Sequence, residues 1–397
     1  MQPKKQNQMN FVVISRASFI SSDTGGADKF ATEVVKDLRQ TLSSDSMIAF
    51  VGRSSNEINE LNHVLIINVP TKANIESNSA IFYYIKGFIL NLICALSGAK
   101  FLKRNREYLY VNAHSNIAAI IATLSRRNIN VVYTIHDVLY STSEHPKLME
   151  LFIRLLNNFL LERIAITVSS AVVVVSPRIR DQIPKKSQHK VLLKYPKTSL
   201  VFSGGDNCLC TYADFRSESP GKFVISTGYQ NERKRFDLLI DTWRLVDSEY
   251  DLMIIGNGPT HDRLENSANE LGLSKRIHFL KNLTNEELAK LLKKSVAGIL
   301  ISSREGFPTS IIECLGAGKP AMYFTLEDLS SYRNLESEYL HISALTSISK
   351  MAKEINTFLA NLKQDQKGAI IQWAEATFQL KKNYAQSLIE SFGLPPK

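Results

Sequence analysis

From Asn10 onward the chain alternates short β-branched runs with stretches of helical period. The runs FVVIS, MIAFV, VLIINV, YLYVNA, VVYTI and AVVVVS are apolar at most positions, as strands buried on both faces of a parallel sheet require. Between the first two, ADKFATEVVKDLRQTL sets Phe30, Val34, Leu38 and Leu42 on one helical face. Parallel neighbours need a crossover long enough to hold a helix, so this alternation predicts a doubly wound α/β sheet.

The pattern stops in YPKTSLVFSGGDNCLCTYADFRSESPGK, where Pro, Gly, Ser and Cys replace any period. It restarts with FVIST, DLMIIG, RIHFL, AGILIS and PAMYF, and FDLLIDTWRLV places Phe236, Leu239, Ile240, Trp243 and Val246 on one face. A chain of 397 residues is too long for one ordinary core and suits two α/β domains of about 200 residues each. The expectation is two Rossmann-like domains, one over residues 1–195 and one over 221–379, joined by a linker over 196–220. The tail is helical in period, and its last segment, 380–397, is expected to be a helix that crosses back to the first domain.

Charge separates the two halves. Residues 1–200 carry 25 Lys+Arg against 14 Asp+Glu, whereas residues 201–397 carry 23 against 24. The whole excess of +10 therefore lies in the first half, which suits an anionic surface or ligand there. Cys94, Cys208, Cys210 and Cys314 are too few and too scattered for a disulfide framework, and the lone C-x-C lacks the partners of a zinc site. The N-terminus MQPKKQNQMN is basic and polar, unlike a secretory signal, and the apolar run GFILNLICALSGA is too short to span a bilayer. A cytoplasmic protein is expected, with a peripheral place on the inner face of the cytoplasmic membrane. There the segment from Ile81 to Arg106, with Lys86, Lys100, Lys103 and Arg104, would lie over anionic lipid. A buried helix with basic ends is the alternative.

Open parallel sheets bind ligands outside the carboxyl ends of their strands, and four loops there carry unusual residues. Gly25 and Gly26 precede a helix, where free N–H groups and the dipole favour a phosphate. His136 and Asp137 end the strand VVYTI, and His114 occupies a similar strand end. Arg233, Lys234 and Arg235 crowd the turn after FVIST, where mutual repulsion calls for an anionic partner. Finally, SREGFPTSIIECLGAGKP follows the strand AGILIS: Glu305 sits in the loop, Glu313 inside the helix that starts near Pro308, and the N–H groups of Phe307, Thr309 and Ser310 can cradle an anion. Such a grip suits a nucleotide sugar.

At this point SSREGFPTSIIECLGAGKP resembles the E-x7-E motif of retaining glycosyltransferases with the GT-B fold, two Rossmann-like domains facing a cleft. The resemblance extends to TGGADKF, YTIHD, ISTGYQNERKRFDLLIDTW and the segment from Leu252 to Leu292. It implies that Glu305 contacts the donor sugar and Glu313 the ribose, that Lys234 neutralises the diphosphate with Gly26 against it, and that His136 touches the sugar near the reaction centre. Gly256 in GNGP and Leu280 in HFLKN would line the nucleotide pocket. No metal or other cofactor is expected, because the lysine and the helix terminus stabilise the leaving diphosphate.

Three departures stand against the family pattern: Tyr229 where an Arg usually follows Gly228, LLKYPK where the first domain closes, and TLEDLSS after GKPAMYF. Arg233 is the candidate to replace the missing cation. The expected activity is transfer of a sugar from a UDP- or GDP-linked donor to a glycan or lipid-linked glycan in surface polysaccharide or lipopolysaccharide synthesis. A catalytically silent nucleotide-sugar-binding or scaffold subunit is the alternative. An epimerase or phosphorylase of the same architecture fits less well, and no nucleic-acid module accompanies the charge.

Overall fold

The computed structural model describes residues 9–18, 26–43, 45–53, 60–61, 64–69, 80–136, 160–195, 222–247, 249–363, 365–379 and 384–392. The chain forms two compact units, one of Met1–Pro196 with Lys381–Lys397 and one of Lys197–Leu380. The expected linker, with Cys208 and Cys210, lies outside the described residues.

In the first unit the strands are β1 (Phe11–Ser18), β2 (Ile48–Arg53), β3 (Glu60–Leu61), β4 (Val64–Asn68), β5 (Tyr110–Ala113), β6 (Asn130–Ile135), β7 (Ala171–Val174) and β8 (Val191–Leu193). They lie in the order β3-β4-β2-β1-β5-β6-β7-β8, with only β3 antiparallel. The helices are α1 (Gly26–Thr41), α2 (Ala80–Arg104), α3 (Asn116–Ser125), α4 (Glu162–Val168) and α5 (Pro177–Gln182). Phe11 to Ile14, Ile48 to Val51 and Val172 to Val174 are buried without a break, because helices cover both faces of the sheet. Ser115 and Ser176 cap α3 and α5 by accepting the N–H of Ala118 and Ile179.

A buried polar cluster ties three of these elements together. Tyr133 on β6 donates its hydroxyl to Glu162 Oε1 at 2.6 Å, and Asn116 Nδ2 donates to Oε2 at 2.9 Å. Burial pushes the Glu162 carboxyl up to about 7, against the two donors, which work to lower it.

The second unit holds a six-stranded parallel sheet of β9 (Lys222–Thr227), β10 (Tyr250–Ile255), β11 (Ile277–Leu280), β12 (Ala297–Ser302), β13 (Ala321–Thr325) and β14 (Leu340–Ala344). Its order is β11-β10-β9-β12-β13-β14, so the chain winds outward from β9 in one direction and from β12 in the other. Helices α6 (Phe236–Trp243), α7 (His261–Glu270), α8 (Asn285–Lys294), α9 (Thr309–Gly316), α10 (Ile348–Ala360) and α11 (Lys367–Phe378) connect and cover it. Trp243, Phe236, Leu239 and Ile240 pack with Leu252, Ile254, Ile299, Met322 and Phe324 in one core, as the predicted helical face requires.

The last helix, α12 (Tyr384–Ser391), belongs to the first unit. The Tyr384 N–H donates to Asp37 Oδ2 on α1 at 2.9 Å, and Phe392 packs against Phe11 and Tyr110 at ring separations of 5.8 and 5.0 Å.

Candidate functional site

The switch in winding direction lies between β9 and β12, where the two connections leave for opposite faces and open a crevice at the strand ends. The loops after these two strands hold Arg233, Lys234 and Glu305. After β9, Asn231 Oδ1 accepts the Lys234 N–H at 3.2 Å and closes one 3-10 turn over Glu232–Lys234. Arg235 then takes a left-handed conformation, φ 44° and ψ 39°, and starts α6. This turn holds the Lys234 side chain against the loop after β12.

There Lys234 Nζ lies 2.8 Å from Glu305 Oε1, and Arg233 Nη1 lies 3.0 Å from Oε2. Ser302 donates its hydroxyl to Oε1 at 2.7 Å, and Arg233 also donates to the Arg304 carbonyl at 2.9 Å. Only 7% of the Glu305 side chain and 12% of the Lys234 side chain are exposed, so the pair is desolvated. Burial by itself would raise the Glu305 carboxyl, but Lys234 and Arg233, with the Ser302 hydroxyl, hold it below the ordinary carboxylate range. The three charged side chains keep one net positive charge.

The helix that follows is drawn close to β12. A Cβ on Gly298 would sit 2.2 Å from Cys314 Sγ, so the missing side chain lets α9 lie against the strand. Pro308 stands at the N-cap of α9 and supplies no capping hydrogen bond. The Ser310 hydroxyl, one residue into the first turn after Thr309, is buried and has no hydrogen-bond partner. Glu313 is buried on the same helix. Phe307 and Pro308 lead into α9. Both side chains line an apolar cavity with Ile311, Tyr323, Tyr332 and Leu340, and Phe307 meets Phe378 edge-on at 5.6 Å. Apolar packing claims these two side chains.

Gly256 and Leu280 adjoin on the other side of β9. The Gly256 N–H donates to the Leu280 carbonyl at 3.0 Å. At φ 140°, a Cβ on Gly256 would lie 2.1 Å from the Gly228 carbonyl oxygen, so the approach of the two loops calls for glycine here. Gln230, fully buried and not singled out by the sequence, clamps the same loops. Its Nε2 donates to the Gly256 carbonyl at 3.0 Å, and its Oε1 lies 2.6 Å from His261 Nδ1. It stands among polar and charged residues in TGYQNERKR, so no local signal marked it.

Within the first unit, His136 follows β6 and His114 follows β5. Their rings are nearly parallel, and His114 Nδ1 lies 2.8 Å from His136 Nε2. Phe30 on α1 meets His136 edge-on at 5.2 Å. Gly26 is the first residue of α1, whereas Gly25 and Asp137 lie outside the described residues. Among the described residues no group of three His, Cys, Asp or Glu could hold a metal ion.

Residues 213–369 match the family model of glycosyl transferases group 1. The second unit carries a glycosyl transferases group 1 domain. The lipopolysaccharide core biosynthesis glycosyltransferase LpsD of Rhizobium meliloti (strain 1021) is 32% identical over 130 residues, spanning 33% of this chain and 37% of LpsD's own length. The chain is also similar in structure to sucrose-phosphate synthase from Thermosynechococcus elongatus, with a TM-score of 0.76 and 15% identity, covering 97% of each chain. Anabaena HepE in complex with UDP-glucose gives a TM-score of 0.70 at 15% identity, covering 97% of this chain and 100% of that one. Likeness at this identity is likeness of fold: two parallel-sheet α/β domains of the GT-B kind.

Proposed function

We propose that the chain is a retaining glycosyltransferase that moves a sugar from a UDP- or GDP-linked donor to a saccharide or lipid-linked saccharide. The observation that carries this reading is the cationic knot of Arg233, Lys234 and Glu305 at the switch point, beside a helix start with an orphaned Ser310 hydroxyl. A diphosphate supplies the anion for which Lys234 and Arg233 would exchange part of their hold on Glu305, and the first turn of α9 adds N–H groups and the positive end of its dipole. Glu305, released from the cations, accepts hydrogen bonds from the donor sugar, and Glu313 from the ribose. Gly256 and Leu280 border the base. No metal is required, because the cations and the helix terminus carry the leaving charge.

A lipid-linked acceptor in lipopolysaccharide or polysaccharide synthesis fits the first unit. Helix α2 buries Leu90, Cys94, Ala95, Ala99 and Leu102, yet exposes Phe88, Ile89, Ile93 and Leu96, with Lys100, Lys103 and Arg104 exposed at its end. Among the described residues no helix is long and apolar enough to cross a membrane, so this face suits contact with an anionic bilayer surface at the cytoplasmic side.

Calorimetric titration of UDP and GDP, with EDTA present, tests the donor site. One nucleotide is expected to bind, and Glu313→Ala to weaken it by about 1.5–3 kcal/mol. Absence of binding by the folded wild type refutes the reading and favours a silent scaffold subunit, which Tyr229 in the place of an arginine would suit. Co-sedimentation with anionic vesicles, abolished by Ile93→Ser with Leu96→Ser, tests the membrane contact; equal sedimentation of the variant refutes it.

A further inference from the structure

The polar groups behind His136 determine where its proton sits. Asn112 on β5 is fully buried, and its Nδ2 lies 3.3 Å from the Val132 carbonyl oxygen and 2.9 Å from Thr134 Oγ1. A carbonyl oxygen only accepts, so the nitrogen of the carboxamide faces Val132 and the oxygen faces His114. Asn112 Oδ1 lies 2.7 Å from His114 Nε2 and accepts a hydrogen from it. Burial, and after it the neighbouring His136, holds the His114 imidazole well below its ordinary pKa, so the ring is neutral and its single proton is on Nε2. His114 Nδ1 is then a lone pair, 2.8 Å from His136 Nε2. Only a donor satisfies that contact.

The surroundings hold this direction in place. Thr134 Oγ1 accepts from Asn112 and lies 3.2 Å from the Tyr384 hydroxyl on the returning helix α12. Phe30 meets both Tyr384, at 5.0 Å, and His136, at 5.2 Å, edge-on, and so limits ring rotation.

We propose that His114 is a positioning residue that fixes the tautomer of His136, with the proton on Nε2 and the lone pair of the neutral ring on Nδ1, and that Asn112 is the fixed reference for both rings. The consequence for catalysis rests on the glycosyltransferase reading above. On the neutral ring Nδ1 is then an acceptor for a ligand hydroxyl, and the opposite tautomer would present an N–H there.

Long-range proton–nitrogen correlation spectra of the histidine rings in the full-length chain read the tautomer directly, and His136→Gln assigns the signal by its loss. At a pH high enough to leave the ring neutral, the wild type is expected to show a protonated Nε2 and a bare Nδ1 on His136. His114→Asn places a carboxamide oxygen where Nδ1 stood and is expected to keep that pattern. His114→Gln keeps a polar group toward Asn112 but withdraws the acceptor, and is expected to give a mixture of tautomers. It should also lower the donor-turnover kcat roughly tenfold or more while leaving KM for the donor nearly unchanged, with His114→Asn restoring most of the loss. A proton on Nδ1 in the wild type, or an unaltered His136 spectrum in a folded His114→Gln, overturns the proposal. The wild-type spectrum is decisive even if a variant fails to fold. Absence of donor turnover with the expected tautomer refutes the glycosyltransferase reading and leaves the tautomer assignment standing.

Discussion

Replacing Lys234 by Met removes the cation nearest Glu305 and keeps most of the stem, which packs close to Gly228. Breaking a buried ion pair from one side costs about 3–5 kcal/mol, because the remaining charge stays desolvated. Here Arg233 remains on Oε2 at 3.0 Å and Ser302 on Oε1 at 2.7 Å, so a cost of about 2–3 kcal/mol is expected. The cost should depend on pH. The folded Glu305 carboxyl lies below its unfolded value of about 4.3, so its contribution is present above that pH and lost as the pH falls through the folded value. In Lys234→Met the depression shrinks, and the deficit should be full at pH 7 and narrow below about pH 4.3. Both tryptophans, Trp243 and Trp373, lie in the second unit. Urea unfolding followed by tryptophan fluorescence therefore reports this unit alone. A deficit under about 1 kcal/mol at pH 7, or one unchanged on acidification, would show that the pair is effectively solvated and refute the argument.

Three further outcomes are expected. The rise of Glu162 from 4.5 to about 7 corresponds to about 3 kcal/mol. Because the folded value is the higher one, this stability is present at low pH and lost as the pH climbs toward 7; Glu162→Gln should flatten that slope in urea melts followed by circular dichroism, and parallel slopes would contradict it. Arg235 sits in the left-handed region at φ 44°, so Arg235→Gly should leave the second unit as stable or more stable by up to about 1 kcal/mol, whereas Arg235→Val should cost about 1–2 kcal/mol. Gly258→Ala would place a Cβ 2.2 Å from the Gln230 carbonyl oxygen and should cost about 1–3 kcal/mol; a fluorescence melt matching the wild type would refute it.

Strand periodicity announced most of the two sheets, since FVVIS, VVYTI, AVVVVS and AGILIS are apolar at alternate and intervening positions alike, which only strands buried on both faces tolerate. It did not announce β14, whose Leu340 and Ile342 are buried between the more accessible His341 and Ser343, nor the short β3 and β8. A strand whose faces alternate over five residues carries little signal when it ends a sheet. The loop residues of the candidate site were legible for a different reason. Clustered cations and an isolated Glu after a strand violate the local pattern, and Lys234 and Glu305 stood out for that, whereas Gly256 entered only through the family resemblance.

Composition, alternation and the placement of chemistry-bearing residues at strand ends thus came from the chain alone, because each is a local property of neighbouring residues. The tertiary structure decided which of them meet. Arg233 and Lys234 reach Glu305 across some seventy residues only because β9 and β12 are neighbours in the sheet order. His114 and His136 pair because β5 and β6 are adjacent, and the proton on His136 is assigned only through Asn112 and the Val132 carbonyl beyond it. Sequence periodicity states that a strand is buried; which strand lies beside it depends on crossovers and on packing of helices from distant parts of the chain, and no short stretch of sequence carries that information.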